Sequence, residues 1–317
     1  MTTKRPAFYT FKGPVVTVTL LLLSVLPAAT SAQAVGPARG ALVVSGGGET
    51  TSHIIDRFIE LAGGPDAPIV VVPTSGRADE DYHQYCPCLR RFREAGATNL
   101  SVLHTRDRDV ANTEAFVEPL REARGIWFNG GSHWLHTDAY LDTKVHDELL
   151  ALLDRGGVIG GGSAGGHVQG EIMNVSRSPD REFSERKLPR EDWRRGFGLL
   201  RGVIIDVHVL ARNRQFDMIG VMNAHPDMLG IGIDENTAIV VQRDEFEVIG
   251  TSYVLIHDGQ SQIPPDPPET WRTVGGSFYF LRPGDTYNLG TREAFRPGTT
   301  QRPIDRVGPR GGGNPGP

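Results

Sequence analysis

The stretch Val158-Ile159-Gly160-Gly161-Gly162-Ser163-Ala164-Gly165-Gly166-His167 decides the fold. It reads as a buried strand that breaks at a serine and opens a helix. Ahead of it, Val145 to Arg155 has apolar residues at helical spacing and closes on Gly156-Gly157. Gly161-Gly162-Ser163-Ala164-Gly165 fits G-x-S-x-G, in which a serine sits on a tight strand-to-helix turn among small neighbours. The hydroxyl then projects above the carboxyl edge of the sheet. The N–H of Ala164 lies in the first turn of the helix, where unpaired N–H groups and the helix dipole favour an oxyanion. Glycine supplies 39 of 317 residues, so the motif alone can arise in a loop. Its place after a helix-loop-strand unit makes Ser163 the candidate nucleophile.

Outward from this stretch, short continuous apolar runs alternate with helical patterns. Strands are expected at Ala41 to Ser45, Pro68 to Pro73, Leu100 to Leu103, Gly125 to Asn129 and Val158 to Gly160. Helices are expected at Ser52 to Leu61, Asp81 to Ala95, Thr113 to Glu122 and Thr143 to Arg155. Apolar strands without alternation imply a parallel sheet covered on both faces. Glycine-rich turns follow the strands at 45, 129 and 160, and in such a sheet they gather at the carboxyl edge, where ligands bind. Gly46-Gly47-Gly48 lacks the G-x-G-x-x-G spacing of a dinucleotide fingerprint, since Thr51 stands where the third glycine belongs.

Residues Met173 to Arg195 are polar and read as a surface excursion. A strand at Gly202 to His208, a helix at Gln215 to Asn223 and a strand at Met228 to Glu235 follow. Runs at Ala238 to Val241, Phe246 to Gly250, Tyr253 to Ile256 and Gly276 to Leu281 look antiparallel. The expected organisation is a leader over 1–34, one domain over 35–290 and a Pro/Gly-rich tail over 291–317 that is too polar to bury a core.

The composition is 38% hydrophobic and 22% charged, ordinary for a globular enzyme with one sizeable core. A net charge of −5 gives no reason to expect nucleic acid as a partner. Lys4, Arg5 and Lys12 precede an apolar run from Val15 to Leu26, and Ala32-Gln33-Ala34 fits a small-residue cleavage pattern. The run is short for a membrane span. Export to the periplasm or outside the cell is therefore expected, with no membrane attachment after cleavage. Cys86 and Cys88 flank Pro87, and export permits a disulfide; a single Cys-x-Cys is a poor metal site.

A serine hydroxyl needs a base, and the base an orienting carboxylate. His208 follows a strand and closes an Asp-x-His step, so Asp206 and His208 are expected on one strand face. His167 is expected to pack or face solvent, while His133 and His136 follow the Gly130-Gly131 turn. For the acid, Glu235 ends a strand, Asp180, Glu182 and Glu185 lie in the excursion, and Asp206 remains open. Spacing does not rank them. An α/β-hydrolase esterase has the order serine, acid, histidine, with the histidine late. Here the best histidine comes soon after the serine, which weighs against that alternative. A non-enzymatic binding protein on the same fold would be expected to lose Ser163 or His208, and both are present.

Four blocks then combine: Phe128-Asn129-Gly130-Gly131, Gly160 to Gly165, Asp206-Val207-His208 with Arg212 and Arg214, and Gly232-Ile233-Asp234-Glu235-Asn236-Thr237-Ala238. In this order, over roughly residues 38–260, they resemble the cyanophycinase branch of the aspartyl-dipeptidase-like serine peptidases, family S51. The resemblance implies a class I glutamine-amidotransferase-like, flavodoxin-like α/β fold, a mostly parallel sheet with helices on both faces, plus C-terminal antiparallel strands. It implies a peptidase that cleaves cyanophycin, poly-aspartate with arginine on each side chain, to β-aspartyl-arginine. Ser163 resembles the nucleophile and His208 the base. Glu235 and Asp206 match acidic positions, and relatives place an acid near Asp180 or Glu182. Gly131 and Ala164 resemble the oxyanion hole, while Ser132, His133, Arg212 and Arg214 stand where substrate binds. Val207 replaces a usual Gln, and Ser132-His133 replace a usual polar residue after the Gly-Gly turn. The resemblance implies a peptide substrate and no metal or organic cofactor, and leaves room for a homodimer.

Overall fold

The computed structural model describes residues 34–49, 52–76, 86–174, 195–258 and 278–297. Residues 1–33 of the expected leader over 1–34, the acids Asp180, Glu182 and Glu185, and residues 298–317 lie outside them.

The expected parallel strands form: β1 (Ala41–Ser45), β2 (Ile69–Val72), β3 (Leu100–Val102), β4 (Gly125–Phe128) and β5 (Val158–Gly162). Every residue of β1, β2, β4 and β5 is buried, because both faces are covered. Alternate side chains serve two cores. Val43, Val71 and Trp127 face α1 (Ser52–Ala62) and the short α2 (Arg90–Glu94). There Phe58, Phe92 and Trp127 meet edge to face, with centroids 5.0 to 6.0 Å apart. Each such ring contributes roughly 2–3 kcal/mol by burial. Leu42, Val44, Ile126 and Phe128 face the opposite core. That core holds α4 (Glu114–Glu122) and α6 (Lys144–Asp154), and Tyr140 from α5 (His133–Tyr140). A single turn, α3 (Arg108–Ala111), is capped by the Asp107 carboxylate, and Thr113 caps α4. Helix α5 was not legible in the sequence, because its buried residues include His136 and Thr137 and make no apolar stripe. Cys86 and Cys88 form a disulfide with Cα atoms 5.1 Å apart, beside a 3₁₀ turn at Pro87–Leu89 that leads into α2.

The second half supplies the expected C-terminal antiparallel strands and adds a second sheet. Strands β9 (Thr237–Gln242), β10 (Glu245–Gly250), β13 (Thr286–Asn288) and β14 (Glu293–Phe295) extend the parallel sheet antiparallel from β1. The nine-stranded order is β14-β13-β10-β9-β1-β5-β4-β2-β3. A separate five-stranded sheet runs β12-β11-β8-β7-β6. It is built from β6 (Gly170–Met173), β7 (Leu200–Val207), β8 (Leu229–Ile233), β11 (Val254–Asp258) and β12 (Phe278–Leu281). Its Val203, Ile205, Ile231 and Ile233 share the core of Leu42 and Val44. The short α7 (Ala164–His167) follows β5, and α8 (Ile219–Ala224) puts Val221 and Met222 against Ile204. The tail boundary at 291 also moves: β14 pairs with β13, Ala294 is buried, and Arg296 grips Asp285 through two bonds of 2.9 and 2.7 Å.

The three residues Asp234, Glu235 and Asn236 carry the chain from β8 in the small sheet to β9 in the large one. The end of β7 and the ends of β1 and β5 lie at this crossing.

Candidate active site

Ser163 lies between β5 and α7 with φ +54° and ψ −117°, a backbone that few residues other than glycine adopt. Its N–H donates to Ser45 O at 3.0 Å, and its carbonyl accepts from His167 N–H at 2.9 Å. The flanking glycines are required by contact. A Cβ on Gly161 would stand 2.2 Å from Gly165 O, and one on Gly165 would stand 2.0 Å from Phe128 O. The small residues of the motif thus let strand, turn and helix cross at backbone distance.

His208 follows β7 in the left-handed region, with φ +59°. Having left the strand, it no longer obeys the alternation that would put it beside Asp206. Its Nε2 accepts from Ser163 Oγ at 2.6 Å, and its Nδ1–H donates to Glu235 Oε1 at 2.6 Å. Glu235 is the acid the structure brings to the imidazole. Asp206 instead takes a bond from Asn174 Nδ2 at 2.7 Å and one from the Val207 N–H at 2.7 Å. It is fully buried, and burial pushes its carboxyl up to about 7 against the pull of the Asn174 bond. Burial first, then the Arg212 charge, holds His208 below the ordinary imidazole range, while Glu235 opposes both. A neutral imidazole with its Nε2 lone pair on the serine hydroxyl is a general base, and a carboxylate on Nδ1–H fixes that tautomer.

The surroundings include groups that sequence reasoning passed over. Gly47 has φ +102°, and a Cβ there would stand 2.4 Å from His208 Cε1 and 2.9 Å from Ser163 Cβ. It packs directly on the pair, and the glycine run after β1 was its sequence signal. Ser75, after β2, donates to Asn129 O and Gly130 O at 2.8 Å, and its own carbonyl accepts from Ser132 N–H at 2.9 Å. It thereby locks the turn that carries Gly130 to within Cβ reach of Ser163, with Gly131 next along it; that Cβ would lie 3.7 Å from Oγ. Ser132 is the residue before α5. His136 Nε2–H donates to Asn129 O at 3.0 Å, from behind the turn.

His133 packs inward against His167, with ring centroids 4.7 Å apart. Burial pushes His133 down to about 4 and His167 well below its ordinary value, and in both the Arg214 charge adds to the effect. His167 packs, as expected. Arg214 has no hydrogen-bonded partner for its guanidinium among the described residues, whereas Arg212 Nε lies 3.7 Å from Glu235 Oε1. The two arginines, grouped together in the sequence, therefore differ: Arg212 leans on the acid, and Arg214 does not. Among the described residues no cluster of metal-ligating side chains occurs.

An α/β sheet that presents a serine on a strand-to-helix turn, against a histidine–carboxylate pair, defines a serine-type hydrolase. Residues 41–249 match the family described as Peptidase family S51, and the chain belongs to that family. It is a serine-type peptidase with a peptide substrate. It is 32% identical over 267 residues to a cyanophycinase of Geminocystis herdmanii (strain PCC 6308), covering 80% of this chain and 96% of that one. A cyanophycinase of Thermosynechococcus vestitus is 32% identical over 270 residues, covering 80% and 81%. Among solved structures, that of a peptidase from an acI-B1 Actinobacterium shares the fold, with a TM-score of 0.60 at 23% identity over 80% of this chain and 98% of that one.

Proposed function

We propose that the protein is an exported peptidase that hydrolyses cyanophycin or related aspartyl and isoaspartyl peptides through an acyl-enzyme on Ser163. The observation that carries this is the relay Ser163–His208–Glu235, with both links at 2.6 Å, in a chain whose relatives are cyanophycinases. Ser163 Oγ attacks the carbonyl as His208 Nε2 takes its proton. His208 returns that proton to the leaving amine, and Glu235 compensates the imidazolium between the two steps. Water then attacks the ester by the same route in reverse. The N–H groups of Gly131 and Ala164 receive the developing oxyanion. Arg214, with no hydrogen-bonded partner among the described residues, receives a substrate carboxylate, with Ser132 at the turn before α5 on the same substrate side. The basic, then apolar, leader and the Cys86–Cys88 disulfide support an oxidising compartment outside the cytoplasm.

The test is release of β-aspartyl-arginine from cyanophycin by the mature protein from about Val35, with Ser163→Ala beside it. Release by the parent alone supports chemistry and substrate together. Release by both would overturn the mechanism. Hydrolysis of isoaspartyl dipeptides without attack on cyanophycin would keep the mechanism and change the substrate. Recovery of the processed chain from the cytoplasmic fraction of its host would count against export.

A further inference from the structure

A concavity lies behind the turn that packs on the catalytic pair. It is a cleft of about 970 Å³, lined by Glu49 after β1, by Asp56 of α1, by Arg90, Arg91 and Glu94 of α2, and by Asn236. The wall between it and the relay is one turn thick. Asn236, with φ +57°, donates its N–H to Gly47 O at 2.9 Å and accepts the Glu49 N–H on Oδ1 at 3.1 Å. Gly47 touches His208, and Glu235 directly precedes Asn236, so an occupant of the cleft lies against the turn that positions the base.

The charges in the cleft are left largely unspent. Arg90 reaches Glu94 only at 3.8 Å, across an exposed helix turn, a pair worth little in water. Arg91 is exposed, stands next to the Arg90 charge, and its guanidinium has no ion pair among the described residues. An anion beside it would offset two adjacent positive charges. The Asp56 and Glu49 carboxylates likewise have no side-chain partner among the described residues. A ligand of one sign, such as a phosphate or a polyamine, would gain at one wall and be repelled at the other. A chain carrying both carboxylates and cationic groups satisfies both walls.

We propose that this cleft is a docking subsite for a zwitterionic stretch of the substrate chain, away from the scissile bond, with substrate carboxylates on Arg91 and cationic groups on Asp56 and Glu49. It deepens the reading above and rests on it for what the bound chain then undergoes. Holding a distant segment raises the local concentration of the next scissile bond at Ser163, so the gain falls on long chains and not on short ones.

The experiment has two arms. In the first, Ser163→Ala protein is co-sedimented with insoluble cyanophycin, alone and with Arg91→Glu, Asp56→Lys or Arg91→Lys added. In the second, the active parent and the same substitutions are assayed on cyanophycin and on a two-unit β-aspartyl-arginine fragment. Each charge reversal should weaken co-sedimentation and raise KM on the polymer by about tenfold, with kcat on the polymer and all kinetics on the fragment unchanged. Arg91→Lys should retain binding, and the difference should shrink near 1 M salt, where exposed charges are screened within about 3 Å. Unaltered co-sedimentation in both reversals, or equal losses on polymer and fragment, would overturn the subsite. A parent that cleaves neither substrate while sedimentation stays dependent on Arg91 would remove the catalytic reading and keep the cleft. A parent that cleaves both, with neither reversal mattering, would do the opposite.

Discussion

The imidazole of His208 stands between opposed influences. Burial and Arg212 favour its neutral form, and Glu235 favours the charged one, with the balance on the neutral side. Activity requires the neutral base, so kcat/KM should rise with pH along a limb centred below the ordinary value of about 6.5. Arg212→Gln removes a lowering influence and should move that limb to higher pH; a limb that stays or moves down would contradict the assignment. Glu235→Gln leaves the shape but loses the carboxylate, and kcat should fall by about 10²- to 10⁴-fold with little change in KM. At Gly47 a methyl would meet His208 Cε1 at 2.4 Å on a backbone at φ +102°. Gly47→Ala should therefore cost about a hundredfold or more in kcat while thermal unfolding shifts by only a few degrees, because the displaced groups are the reacting ones. Normal turnover by this variant would show that the base tolerates displacement.

At the scale of elements, the crossing from β8 to β9 does most to assemble the site. Asp234 anchors it: Oδ1 accepts from Leu210 and Ala211 N–H at 3.0 and 2.9 Å, and Oδ2 accepts from Ser252 Oγ at 2.6 Å. One buried carboxylate thus ties the turn after His208 to the return connection between β10 and β11. Asp234→Ala should lower stability by roughly 3 kcal/mol, since three donors lose a charged acceptor, and should lower kcat as the His208 turn loosens. Urea unfolding and steady-state kinetics on one preparation check both. Asp234→Asn, which keeps one acceptor oxygen, should fall between the parent and Asp234→Ala.

For the whole molecule, acid sensitivity follows from its buried histidines. His133, His136 and His257 are pushed down to about 4 by burial, and burial also holds His167 well below its ordinary value. Each binds its proton more readily in the unfolded chain. Their stabilising contribution is therefore complete above the unfolded value of about 6.5 and is lost as pH falls toward 4. Asp206, raised to about 7, acts with the opposite sign, since the folded state holds its proton through the same window. Four groups against one leave a net loss of stability on acidification. Equilibrium unfolding in urea at several pH values between about 7 and 4.5 should show the midpoint falling steadily. A flat profile would mean that these rings reach water in the folded state.

What the sequence determined by itself was whatever depends on near neighbours. Uninterrupted apolar runs at β1, β2, β4 and β5 require cover on both faces, and so a parallel sheet between helices. The small residues around Ser163 specify a sharp turn within five positions, and Asp206-Val207-His208 marks a strand end by local pattern alone. Only the tertiary structure decided the rest, because it depends on residues distant in the chain. Glu235 prevails over Asp206 because the β8–β9 crossing delivers it to His208, whereas Asp206 is taken by Asn174. The division into two sheets, the closeness of Gly47 to the base and the inward packing of His133 on His167 have the same origin. No local pattern records a partner that lies many residues away.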